Sequence, residues 1–421
     1  MRRLALLFFL SFPLFAAEKT VTLLHFSDYH SHALPFYTDE GERGGIARAI
    51  AFLERHKQRG ALVFSGGDMV NKGAPAWSDK YTCAEWPWFN GIVDAMAFGN
   101  HDADYGMQTL EQCLAFVKYP ILGANVSGVR GYRVFTRNGL RIGVFAVAGA
   151  DFPQLVKTPG FTFTDPIAAA RRMVRVLRDE EQVNAVVMIG HEHADADFAL
   201  AQQVPGIDLI FGTHTHLKKE LTQIPGTRTW FISPWQYLGY ISWIELHFAD
   251  GKLGAIDGAL VPVDASMRED ATIAQRVAAM QRALEADPQY SALFAPIATL
   301  PAPMAVAEIG RRSVELMRAL GKAEVGISTT SSFRGALASG TLTEEALRAV
   351  MPYDNEIVVC TMTGTQLQRL AAESYASGEF SDAARSYRVA TTDYVAGRDG
   401  LTCEKTGLRV RAEFRRALAA P

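Results

Sequence analysis

The sequence predicts a two-domain protein of the layered α/β class, and three observations carry that reading. The chain has 421 residues, more than one core ordinarily supports, since single cores stop growing at roughly 250 to 300 residues. Its N-terminal half and more repeats one theme: a short apolar run, a polar loop, then a stretch with helical periodicity. That is the pattern of strands and helices alternating around a largely buried sheet. A motif-free helical segment, "REDATIAQRVAAMQRALEADPQ" (268–289), then separates this part from a second α/β stretch. Hydrophobic residues make up 48% of the chain and charged residues 21%, the balance of a folded globular protein, and no repeat or low-complexity tract interrupts it.

In chain order, the first element is "MRRLALLFFLSFPLFAAEKT". Two arginines, an apolar stretch from Leu4 to Phe15 and small residues before Glu18 predict a secretory signal peptide over residues 1–17. The stretch is too short for a spanning helix of about 20 residues. The mature protein is therefore expected to be secreted, with no stable membrane insertion after signal cleavage. The strand-like runs that follow are "VTLLHF" (21–26), "ALVFSG" (61–66), "VDAMAF" (93–98), "RIGVFAVAG" (141–149), "NAVVMIG" (184–190), "IDLIFG" (207–212), "TWFIS" (229–233) and "GYISWIELHF" (239–248). Runs this short and rich in Val, Ile and Phe read as buried strands. Segments such as "GIARAIAFLERHKQRG" and "DPIAAARRMVRVLRDEEQ" supply helices between them. A first domain over 18–265, a linker helix within 266–300 and a smaller domain over 301–421 follow. The last has its own strands ("EVGIS", "EIVVCTM", "YRVATTDYV") and helices around 307–319 and 365–377.

Export permits disulfides, and the chain has four cysteines, Cys83, Cys113, Cys360 and Cys403. Four cysteines allow three pairings, of which the domain split makes Cys83–Cys113 and Cys360–Cys403 the within-domain choice. None has the spacing of a zinc or redox motif. Loss of Arg2 and Arg3 with the signal lowers the formal net charge of −3 by two. No basic excess remains to attract nucleic acid or anionic lipid, so any affinity for phosphate must be local.

Five strand-like runs end in potential metal ligands: "HFSDYHS" with Asp28 and His30, "FSGGDMV" with Asp68, "AFGNHDADYG" with Asn100 and His101, "MIGHEH" with His191, and "FGTHTH" with His214 and His216. Loops beyond strand C-termini in an open α/β sheet converge on one crevice, so such residues can meet. Singly, each has an ordinary explanation: a helix cap, a turn residue, a hydrogen-bonded histidine. Together they offer the oxygen and imidazole donors that suit Zn, Mn or Fe. His25 lies inside a strand and reads as a core residue; His32 and His193 stand near the cluster but outside its pattern.

The ordered set D-x-H, G-G-D, G-N-H-D, G-H and G-T-H-T-H resembles the calcineurin-like metallophosphoesterases. The second half and the export signal resemble, more narrowly, the bacterial periplasmic 5′-nucleotidase and UDP-sugar hydrolase family. The resemblance implies a four-layer α/β metallophosphoesterase domain with sheets flanked by helices, a C-terminal α/β substrate-binding domain, and a periplasmic location. It also implies a binuclear centre of two divalent ions, Zn, Mn or similar. Asp28, His30, Asp68 and His216 would hold one ion, and Asp68, Asn100, His191 and His214 the other, with Asp68 shared. A hydroxide between the ions would be the nucleophile. His101 would face the phosphoryl group and Asp104 would orient it.

By the same resemblance, the second domain would bind the substrate, a small phosphate ester such as a nucleotide. Tyr353 in "MPYDNEIV" and Tyr394 in "TDYVAGRDG" take the base-stacking positions, Asp399 the ribose-binding one, and Arg334 in "TTSSFR" a phosphate-binding one. Two departures stand out: Thr329 replaces a base-reading Asn, and Ala305 stands where a second phosphate-binding arginine is expected, with Arg311 and Arg312 nearby. The leading expectation is an exported phosphoesterase acting on nucleotides or related esters. The alternatives are a thiosulfohydrolase of the sulfur-oxidation type and a non-catalytic nucleotide- or metal-binding protein.

Overall fold

The computed structural model describes residues 18–73 and 75–419; the expected signal peptide, 1–17, lies outside the described residues. Two six-stranded sheets form the centre of the first domain. One runs Lys252–Pro262, Tyr240–Ala249, Glu18–Phe26, Leu62–Ser65, Ala95–Ala97, Ile121–Leu122; the other runs Lys218–Gln223, Trp230–Pro234, Leu209–Gly212, Ala185–His191, Leu140–Ala148, Tyr132–Arg137. All eight expected runs are strands. Strands missed in the sequence, such as Lys218–Gln223 and Tyr132–Arg137, lie at sheet edges, where water on one side removes the apolar signal.

Alternation along each strand explains the layering. Leu23, Phe64, Val144, Val187 and Phe211 point into the space between the sheets and form one core. Their neighbours point the other way. Leu24, Val63 and Met96 pack on Ile46, Ile50 and Leu53 of the helix Ile46–Lys57, while Val186 and Met188 pack with Met173 and Leu200 of two helices beneath the second sheet. The result is helix, sheet, sheet, helix. Period-two burial on both faces is what a sheet sandwiched between two apolar layers requires.

The helix Ala271–Glu285 is capped by the Asp270 carboxylate, which accepts from the Ile273 amide. It buries Ile273, Val277 and Leu284 in the core of the first domain. The strand Pro296–Leu300 pairs with Gly340–Thr343. A five-stranded sheet, ordered Ser374–Ser377, Val325–Thr329, Ser386–Thr392, Glu356–Thr363, Cys403–Arg409, forms the rest of the C-terminal half with its helices. One expectation fails here: "YRVATTDYV" is not strand throughout. Thr392 accepts from the Val395 amide and starts the helix Asp393–Arg398, so Tyr394 stands on a helix. Likewise 374–377 is strand rather than the end of a helix. Both within-domain disulfides are present, Cys83–Cys113 and Cys360–Cys403.

Candidate metal centre

The neighbouring strands Glu18–Phe26, Leu62–Ser65 and Ala95–Ala97 run parallel, as do Leu140–Ala148, Ala185–His191 and Leu209–Gly212. Their C-terminal ends therefore share one edge, and the loops there carry every candidate ligand. Asp28, His30, Asp68, His214 and His216 all take positive φ, between 48° and 65°. That region is sparsely used by residues other than glycine and costs roughly 1 kcal/mol or more at each position. The surrounding structure must hold such a backbone in place, and it does. The Asp28 carboxylate accepts from the His214 amide at 3.1 and 3.2 Å, and the His30 amide donates to the Asp68 carbonyl at 2.9 Å.

Two groups of donors result among the expected ligands: Asp28, His30 and His216, and Asp68, His191 and His214. In the first, His30 Nε2 lies 3.0 Å from His216 Nε2, and His216 Nε2 lies 3.5 Å from Asp28 Oδ1. In the second, His191 Nε2 lies 3.4 Å from Asp68 Oδ2 and 3.2 Å from Asn100 Oδ1. Asp68 Oδ2 is also 3.7 Å from His30 Nε2, so this carboxylate stands between the groups. His30 Nδ1 contacts the Val70 carbonyl at 3.1 Å, and His191 Nδ1 contacts the Gly66 carbonyl at 2.6 Å. Carbonyls there keep the proton on Nδ1 and leave the Nε2 lone pair facing the cluster. Imidazole nitrogens and carboxylate oxygens converging in this way suit a cation, and the donor set suits zinc, manganese or a similar divalent ion.

Burial and charge set the protonation of this edge. Burial pushes His30 down to about 3, so it is neutral and ready to ligate. Burial works against ionised Asp68, but His191, His101 and His30 around it hold it well below the usual carboxylate range. Burial likewise opposes a charge on His101, yet Asp68 and Asp104 outweigh it and raise His101 to about 10. His101 Nδ1 lies 2.8 Å from Asp104 Oδ2, a hydrogen bond between the two. Asp104 Oδ2 also accepts from the Lys72 amide at 3.1 Å, which fixes the carboxylate.

Sequence reasoning overlooked Asp102. Buried, it accepts from the Met69 amide with Oδ1 and the Gly99 amide with Oδ2, both at 2.8 Å, and so ties the Asp68 loop to the Asn100 loop. Gly99 allows that approach, because a Cβ there would meet Asp68 N and Oδ1 at 2.3 Å. The signal was the Asp following "GNH", read only as part of a motif. Thr213, whose hydroxyl contacts His191 Nδ1 at 2.9 Å, was also unmarked. His25 is core as expected, stacked on Phe211, and neither ring nitrogen has a partner among the described residues.

From the C-terminal half, Arg334 reaches into this edge. Its Nη1 is 3.2 Å from His216 Nε2 and from Gln236 Oε1, and its Nη2 donates to the Tyr353 hydroxyl at 3.1 Å. Tyr394 stands on the helix Asp393–Arg398, and Asp399 in the turn that follows. Asp399 there accepts from Arg398. Thr329 is engaged with Ser332 and Ser331. Arg311 and Arg312 are exposed, the latter paired with Glu308. A cavity of about 450 Å³ opens beside Arg334 and His216, lined also by Lys218, Trp235, Thr330 and Tyr375.

Residues 21–218 match the calcineurin-like phosphoesterase family, and residues 302–383 match the 5′-nucleotidase C-terminal domain. The chain carries a calcineurin-like phosphoesterase domain and a 5′-nucleotidase C-terminal domain. It belongs with the metal-dependent phosphoester hydrolases. Protein UshA of Yersinia enterocolitica is 23% identical over 427 residues, covering 84% of this chain and 76% of that protein. Among solved structures, the 5′-nucleotidase precursor of Thermus thermophilus shares the fold with a TM-score of 0.71 at 19% identity, over 95% of this phosphoesterase and 96% of that chain. The sulfate thiohydrolase SoxB of Thermus thermophilus shares it with a TM-score of 0.73 at 19% identity, over 95% and 94%.

Proposed function

We propose that this phosphoesterase releases phosphate from nucleotides or closely related esters, working outside the cytoplasm after export, with two divalent ions at the sheet edge. Asp28, His30, Asp68 and His216 would hold one, and Asp68, Asn100, His191 and His214 the other. Such ions supply Lewis acidity toward the phosphoryl oxygens and an activated water. The chain's own groups do the rest. His101 carries its proton toward the phosphoryl and leaving oxygens, and Asp104 holds the ring in place. Arg334 binds a phosphoryl oxygen, and Tyr353 and Tyr394 give the base a face to stack on, with Asp399 for the ribose.

The observation that carries this reading is Arg334. It places a fixed cation from the C-terminal half at 3.2 Å from His216, with an aromatic ring behind it. An anion clamp beside divalent-ion ligands fits a phosphate ester bearing a planar group. The hydrogen-bonded His101–Asp104 pair favours an ester whose leaving oxygen needs a proton over a protein-bound thiosulfonate. The test is a phosphate-release screen on zinc- or manganese-loaded protein across nucleoside monophosphates, nucleotide sugars, cyclic nucleotides and aryl phosphates. Release from nucleotides is expected; cleavage of sulfur-carrier substrates alone would overturn the proposal.

A further inference from the structure

His214 has a second set of neighbours that the proposed chemistry does not use. Asp151 follows the strand Leu140–Ala148, and His193 follows its parallel neighbour Ala185–His191. Asp151 Oδ2 lies 3.4 Å from His193 Nε2 and 3.4 Å from His214 Nε2, and the three donor atoms all lie within 4.8 Å of one another. Donors about 2.0 to 2.2 Å from one tetrahedral ion stand roughly 3.3 to 3.5 Å apart. The candidate catalytic ligands show the same spacing, 3.4 Å for His191 and Asp68 and 3.5 Å for His216 and Asp28. A carboxylate that merely hydrogen-bonds a histidine comes closer, as Asp104 does to His101 at 2.8 Å.

We propose that Asp151, His193 and His214 form a further divalent-metal site, with the carboxylate and imidazole donors that suit zinc. The site is reachable, since the side chains of Asp151 and His193 are 35% and 60% exposed. Solvent can fill the remaining coordination position. His214 also belongs with Asp68 and His191, so an ion here engages a residue of the catalytic group, and excess zinc slows hydrolysis. That consequence rests on the proposed role of His214; the site itself does not.

The test is equilibrium dialysis of the full chain against zinc, with metal counted by mass spectrometry, for the native protein, His193→Ala and Asp151→Ala. Native protein should bind one equivalent more than either variant. Equal equivalents in all three would overturn the site. Near-ultraviolet circular dichroism monitors folding, and the exposed His193→Gln serves as a second variant should Asp151→Ala unfold. With an ester that the native enzyme cleaves, His193→Ala should keep its rate at limiting zinc and escape inhibition at excess. A variant that lacks the extra equivalent yet is inhibited like the native enzyme would overturn the link through His214. Failure to find any cleaved ester would sink the proposed function and leave the dialysis result standing.

Discussion

The two faces of the cleft are built differently. On the first-domain side Asp28, His30, Asp68 and His191 are at most 1% exposed, five candidate ligands hold positive φ, and Asp102 and Thr213 brace the loops from behind. On the C-terminal side Tyr353 and Tyr394 are 41% and 53% exposed, and the Thr329 hydroxyl is spent on its serine neighbours. Chemistry at a metal centre needs donors fixed to fractions of an ångström, which only an over-determined, buried setting provides. Recognition of a base by stacking tolerates an open platform and a changed partner.

Four substitutions test that contrast. The largest effect belongs to Asp68→Ala, which removes the carboxylate standing between the two groups: bound metal measured by mass spectrometry should fall, and ester hydrolysis should drop to background. His101→Ala should separate metal from turnover, with metal content kept and kcat reduced about 10²- to 10⁴-fold, the usual contribution of a positioned proton donor. Full activity in that variant would remove His101 from the chemistry. On the open face, Tyr353→Ala should raise KM for nucleotides by about 5- to 150-fold, the equivalent of 1 to 3 kcal/mol of stacking. Tyr353→Phe should restore it, and a phosphate ester with no planar group should be unaffected by either change.

The last effect concerns stability, not turnover, beneath the Asp28 loop. Glu85 is fully buried and accepts from the Tyr29 hydroxyl at 3.2 Å and from the Trp77 indole. Burial raises its carboxyl from an ordinary value of 4.5 to about 7. A raised carboxyl favours the folded state only while protonated, so stability declines as pH rises from 4.5 through 7, by up to about 3 kcal/mol. Glu85→Gln, which cannot ionise, should therefore melt higher than the native protein at pH 8 and alike at pH 4. A variant that shows no gain at pH 8 would mean that Glu85 is not held in a low-dielectric setting.

The eight apolar runs were legible because strands buried on both faces carry an uninterrupted apolar signal, and the motif set was legible because strand ends convert sequence order into proximity. Polar edge strands such as Lys218–Gln223 were not, since their stability comes from pairing with Trp230–Pro234 rather than from their own pattern. The helix that carries Tyr394 was hidden for a different reason: β-branched "VATT" is strand as it reads, and a single hydroxyl cap at Thr392 ends the strand and starts the helix there.

The sequence by itself determined the layered α/β class, the order of the ligand-bearing loops and the His101–Asp104 spacing, because these follow from periodicity and from which donors stand at strand ends. Only the tertiary structure decided that Asp68 lies between the two groups, that Asp102 ties their loops together, that Arg334 crosses to His216, and that Asp151 and His193 gather on His214. Each of these joins residues from different strands or from different halves of the chain. Such distances are set by sheet register and by how the halves pack, neither of which any local stretch of sequence encodes.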